Sequence, residues 1–94
     1  MTERQIRTKI EKFLKAGGWL VMPLSDQWVS GYPDLLCIRN GVHLFLEIKK
    51  PGGVVSKIQQ YFIGKIFLHG GDAYVVYSVE EVKKLLEVLS KIKT

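Results

Sequence analysis

The chain has 94 residues, 47% of them hydrophobic and 11% aromatic, with a net charge of +5. That is one domain, residues 1–94, with one core; a disordered chain and a disulfide scaffold are excluded, the second also because Cys37 is the lone cysteine. No apolar run approaches the roughly 20 residues that cross a bilayer, and the polar start Thr2-Glu3-Arg4-Gln5 is unlike a signal peptide, so a soluble, cytoplasmic protein without a membrane partner is expected.

Residues 2–16 carry Ile6, Ile10, Phe13 and Leu14 at the spacing of one helical face, and Gly17-Gly18 ends that helix. Residues 19–22 read as a strand closed by Pro23, followed by a loop over 24–32 that holds Ser25, Asp26, Trp28 and Gly31. Residues 34–39 form a second strand. Asn40-Gly41 is a two-residue hairpin signal, so residues 42–50 return antiparallel until Pro51-Gly52-Gly53 breaks the sheet. Residues 56–69 predict a helix with Ile58, Tyr61, Phe62, Ile66 and Phe67 facing inward, opened by the S-x-x-Q capping box of Ser56 and Gln59. A strand at 73–77 and a helix at 79–92 close the chain. That last helix has Val82, Leu85, Leu86, Leu89 and Ile92 on one face, and a second capping box at Ser78 and Glu81. A meander followed by a helical crossover implies an α/β fold: a mixed four-stranded sheet flanked by helices, in the order helix, three strands, helix, strand, helix.

The anomaly is the greasy third strand, Leu44-Phe45-Leu46-Glu47-Ile48-Lys49, which ends in two opposite charges. Alternation sends Glu47 and Lys49 to the same side, where burying them unpaired costs several kcal/mol. Charges are retained at such a cost where a site needs them, most simply for a divalent cation and a phosphate. Asp34, at the neighbouring end of the hairpin pair, supplies a second carboxylate. Mg²⁺ takes one or two protein carboxylates and leaves its other positions to water and phosphate. The carbonyl of Ile48 is a plausible further oxygen. Lys49 puts a positive charge beside the scissile group; neighbouring carboxylates favour its charged form, which fits charge stabilisation better than a general-base role. Glu3 falls within the arc of Ile6, Ile10, Phe13 and Leu14, whereas Glu11 lies about 115° from its centre. Glu3 is therefore the first-helix candidate, unless the first turn frays into water or its carboxylate simply suits the helix dipole. These residues point to a metal-dependent nuclease.

Gly31-Tyr32-Pro33-Asp34, Phe45-Leu46-Glu47-Ile48-Lys49-Lys50-Pro51-Gly52 and Ser56-Lys57-Ile58-Gln59, with Glu3 and Ile6 ahead of Gly17-Gly18, resemble the VRR-NUC family of the PD-(D/E)XK nuclease superfamily in its short stand-alone, phage-type form. The resemblance implies a restriction-endonuclease-like fold and a Mg²⁺- or Mn²⁺-dependent, structure-selective DNA endonuclease, with Holliday junction resolution proposed for stand-alone members. A flap or nicking enzyme of the same fold, or a non-catalytic nucleic-acid-binding module, are the alternatives. By position it implies Asp34, Glu47, Ile48 and Glu3 as metal ligands, Lys49 as the catalytic lysine, and Gln59 at the edge of the site, orienting water or contacting phosphate beside its capping role.

The excess of Lys and Arg suits a polyanion. Lys50, Lys57 and Lys65, just after the catalytic strand, are candidates for a phosphate track. So small a protein gains footprint by forming a homodimer, which also presents two sites to a branched DNA. Trp28 and Tyr32 could stack on a base, although capping the sheet edge or filling an interface is the plainer role for each. His43, His69 and Cys37 have no zinc spacing. No phosphate-binding glycine motif calls for a nucleotide cofactor.

Overall fold

The computed structural model describes residues 1–24 and 30–92. Its elements are α1 (Glu3–Ala16), β1 (Leu20–Pro23), β2 (Leu35–Arg39), β3 (Val42–Ile48), α2 (Lys57–Leu68), β4 (Asp72–Val76) and α3 (Val79–Ile92). The strands lie in the order β1-β2-β3-β4, antiparallel through the first three and parallel between β3 and β4. This is the expected mixed sheet. The β2–β3 hairpin turns at Asn40 and Gly41, with φ of 49° and 81°, the pair of positive values that a type I′ turn demands.

Alternation along β2 and β3 sends Leu35, Cys37, Leu44, Leu46 and Ile48 to one face, where each is buried. Ile6, Ile10 and Leu14 of α1 and Val82 and Leu89 of α3 complete this core. Cys37 is wholly enclosed, and burial, aided by the charge of Glu11, pushes its thiol up to about 12. It is a small hydrophobe, not a nucleophile.

The starts of α1 and α3 each differ in one detail from the sequence expectation. Thr2 is the N-cap of α1: its hydroxyl accepts from Gln5 N at 3.1 Å and its N–H donates to Gln5 Oε1 at 2.8 Å, a capping box the sequence reading passed over. The Ser56–Gln59 box forms as expected. At α3 one arm forms, Glu81 N to the Ser78 hydroxyl at 3.2 Å, while the Glu81 carboxylate takes Tyr77 N–H at 3.0 Å.

The larger correction concerns α2. None of its residues is buried, and Ile58, Tyr61 and Phe67, expected inside, are exposed. The helix packs on β4, and its apolar residues are spread around its circumference, so periodicity does not select a face. Ile92, at the last position of α3, is exposed as well.

Candidate active site

The β2–β3 register places the site. One residue past the last pair, Leu35 with Leu46, the same register sets Asp34 opposite Glu47. Lys49 N still bonds Val76 O on β4 at 3.0 Å. The Ile48 N–H, turned toward the side where β2 has stopped, donates to Asp34 Oδ2 at 2.7 Å. The aspartate thus finishes the ladder, and this bond holds its carboxylate against β3.

Glu47 is 2% exposed, the most enclosed charged side chain among the described residues. Its Oε2 accepts from Gln59 Nε2 at 2.9 Å and lies 3.5 Å from Lys49 Nζ. Its Oε1 is buried with no hydrogen-bond partner. Burial, and after it the charge of Asp34, push the Glu47 carboxyl up to about 7 against the opposing pull of Lys49. Asp34 is also raised, chiefly by burial, with the Ile48 N–H and then Arg7 acting the other way.

Gln59 serves the fold and the site together. Its Oε1 accepts the N–H of Ser56 at 2.9 Å to cap α2, while its Nε2 reaches Glu47. The two roles weighed for it coexist, because one amide has an acceptor end and a donor end.

Two glycines bring the backbone close to these side chains. Gly31, at φ +98°, sits so near α2 that a Cβ there would meet Ile58 Cγ1 at 2.6 Å, which presses the Asp34 turn onto the first turn of α2. At the end of the turn that follows β3, a Cβ on Gly53 would meet Lys50 O at 2.9 Å and Lys49 Cβ at 3.3 Å. The turn backs the stem of Lys49.

Glu3 is placed differently from Asp34 and Glu47. Helix α1 begins at Glu3 itself, so this residue occupies an unpacked first turn and is exposed rather than part of the buried stripe. It lines a cleft of about 290 Å³ with Arg4, Arg7, Asp34 and Ile48, and its charge reaches both Asp34 and Glu47. Among the described residues no group of three or more His, Cys, Asp or Glu side chains forms a ready-made cage for an ion. The oxygen donors that converge are the pair Asp34 and Glu47.

Lys50, Lys57 and Lys65 are all exposed. Since Gln59 marks the side of α2 that faces Glu47, Lys57 and Lys65, roughly 160° and 120° around the helix from it, point away from the site. Lys65 lies over the Tyr61 ring at 5.9 Å instead. Tyr32 packs edge-on against Phe62 at 4.7 Å, and Trp28 falls outside the described residues. His43 lies beside the hairpin turn and His69 caps the C-terminus of α2. Sequence reasoning missed Arg7, whose Nε donates to Glu11 Oε2 at 3.1 Å and whose charge bears on Asp34. Its spacing from Glu3, one helical turn, was the available signal.

A four-stranded mixed sheet with these groups at the end of its hairpin is a nuclease-type fold, and solved structures agree. One described as "VRR_NUC domain" is 30% identical, with 93% of this chain and 97% of that one covered at a TM-score of 0.81. A second, "VRR_NUC domain protein", shares the fold at 23% identity and a TM-score of 0.73, covering 93% of this chain and 86% of its own. No protein-family profile and no curated protein sequence matches. The chain belongs to the VRR_NUC family.

Proposed function

We propose that this protein is a metal-dependent DNA endonuclease that hydrolyses phosphodiester bonds at Asp34, Glu47 and Lys49. The observation that carries this reading is Glu47: a carboxylate 2% exposed, facing a second carboxylate, with one oxygen orphaned. As a structural device this arrangement costs stability. As a donor pair for a hard cation it is suited, since Mg²⁺ or Mn²⁺ prefers carboxylate oxygens and needs only one or two of them from the protein. Asp34 and Glu47 would hold the ion, with the Ile48 carbonyl and Glu3 within the same corner of the molecule. The cation's contribution, when bound, is to lower the pKa of water and to neutralise charge on the phosphate.

The chain's own groups do the rest. Gln59 and Lys49 fix one oxygen of Glu47 and so orient the carboxylate. The ammonium of Lys49, backed by Gly53, stands ready to stabilise the charge that grows on the phosphate in the transition state. The Ile48 N–H keeps Asp34 in register with Glu47. Branched DNA, a Holliday junction foremost, is the proposed substrate, cut by a homodimer in the cytoplasm. Support for the dimer is the outer stripe of α2, where Ile58, Tyr61 and Leu68 are exposed within one arc. Among the described residues no helix is long and apolar enough to cross a membrane.

The test offers four-way junction, flap, duplex and single-stranded DNA with Mg²⁺ or Mn²⁺ to the wild type and to Lys49→Ala. The wild type should cut, and the variant should bind equally while cutting about 10²-fold more slowly or worse. Binding without cleavage of any substrate favours the non-catalytic module. Equal cutting by both proteins moves the chemistry away from Lys49. Light scattering decides the dimer.

A further inference from the structure

We infer that Arg7, with Arg4 beside it, holds a backbone phosphate of the DNA next to the one being cut. The inference rests on the nuclease reading and adds the α1 side of the substrate path to it.

The geometry begins with the cleft between α1 and the catalytic hairpin, lined by Glu3, Arg4, Arg7, Asp34 and Ile48. Arg4 and Arg7 are one helical turn apart and so share a side of α1. Lys9 and Lys12 lie roughly 160° and 140° around the helix from Arg7, and neither lines the cleft. The Arg7 side chain is only 26% exposed, and its charge acts on Asp34, which sets the guanidinium on the inner wall.

Arg7 also pairs with Glu11 four residues on, through Nε at 3.1 Å. As a helix-stabilising device the pair is poorly arranged, because the favourable order puts the acid on the N-terminal side. As a strut it makes sense. A guanidinium is a planar fork, so Glu11 can grip the Nε edge while the rest of the fork meets a phosphate. A lysine cannot do both. The α2 side offers little in exchange, since Lys57 and Lys65 turn away from Gln59. Glu3 and Asp34 line the same cleft and repel an anion. The guanidinium groups on this wall offset that repulsion, beyond what an ion held by Asp34 and Glu47 would offset.

The experiment measures binding of a synthetic four-way junction by fluorescence anisotropy in EDTA between 50 and 200 mM KCl, on the order of the range where phosphate contacts show. Wild type, Arg7→Gln, Arg7→Lys and the control Lys12→Gln are compared, with cleavage kinetics in Mg²⁺ alongside. Arg7→Gln should weaken binding on the order of fivefold to tenfold and reduce the slope of log K against log salt by about one. Lys12→Gln should leave both unchanged. Arg7→Lys should keep the slope but raise KM severalfold with kcat little altered, and it carries the test if the glutamine variant does not fold. Wild-type slope and KM in both Arg7 variants overturn the inference while leaving the nuclease reading intact. A slope that depends on Arg7 without any cleavage upholds the phosphate contact and sinks the nuclease reading. No binding of DNA by the wild type in EDTA together with no cleavage in Mg²⁺ sinks both.

Discussion

Replacing Glu47 with glutamine should stabilise the metal-free protein at neutral pH while removing its activity. The carboxyl is raised from an ordinary 4.5 to about 7, first by burial and then by the charge of Asp34. The folded state therefore holds a proton on Glu47 that the unfolded chain has already released. Stability from this group is complete below about pH 4.5 and drains away as pH rises toward 7. A shift of this size corresponds to about 3 kcal/mol, or a melting temperature lower by about 12–24 °C in a domain of this length. Glutamine keeps an oxygen for Gln59 Nε2 and carries no charge, so the Glu47→Gln variant should lack this loss. Urea melts in EDTA at pH 4.5 and pH 8 measure it: the two proteins should differ little at the lower pH, and the variant should be the more stable by about 2–3 kcal/mol at the higher. Stability curves that stay parallel across that range would refute the claim that burial raises the Glu47 carboxyl.

Gln59→Ala removes the reciprocal arm of the α2 capping box and a hydrogen bond to Glu47 in one step. It should cost about 1–2 kcal/mol in a denaturant melt and should slow cleavage more than Ser56→Ala, which loses the cap alone. Gly31→Ala places a side chain at φ +98° and 2.6 Å from Ile58. It should destabilise by about 1–3 kcal/mol, and cleavage should fall even where the variant is fully folded, because the Asp34 turn is pushed off α2.

Most of the sheet was legible because its signals are local and agree with one another. Asn40-Gly41 dictates the hairpin, the hairpin dictates the register, and the register brings Asp34 to Glu47. The bounds of α3, Val79–Ile92, follow from Ser78 at its start and a strongly one-sided apolar stripe. The face of α2 was not legible. Its apolar residues surround the helix, so only contact with β4 and Glu47 decides which side turns inward. What the apolar arc did not show is the exposure of Glu3: the Thr2–Gln5 cap starts α1 at Glu3 and leaves its first turn unpacked, although the residue still lines the cleft with Asp34. Arg7 was overlooked because a cation on an amphipathic helix reads as solvated until the neighbouring strand is in position.

Glu47 also links the fold to the proposed chemistry. Proton and divalent cation are alternative ways of relieving the same buried carboxylate pair. In the proposed enzyme they compete, and apparent Mg²⁺ affinity should rise as pH passes through the region of 7 where Glu47 titrates. Gln59 and Lys49 moderate that competition, since each offers positive charge or a donor to Oε2 and leaves Oε1 without a partner. A site that satisfied both oxygens would make a more stable protein with less reason to take up an ion. The unsatisfied oxygen is thus at once the weak point of the fold and the strongest argument for the proposed function.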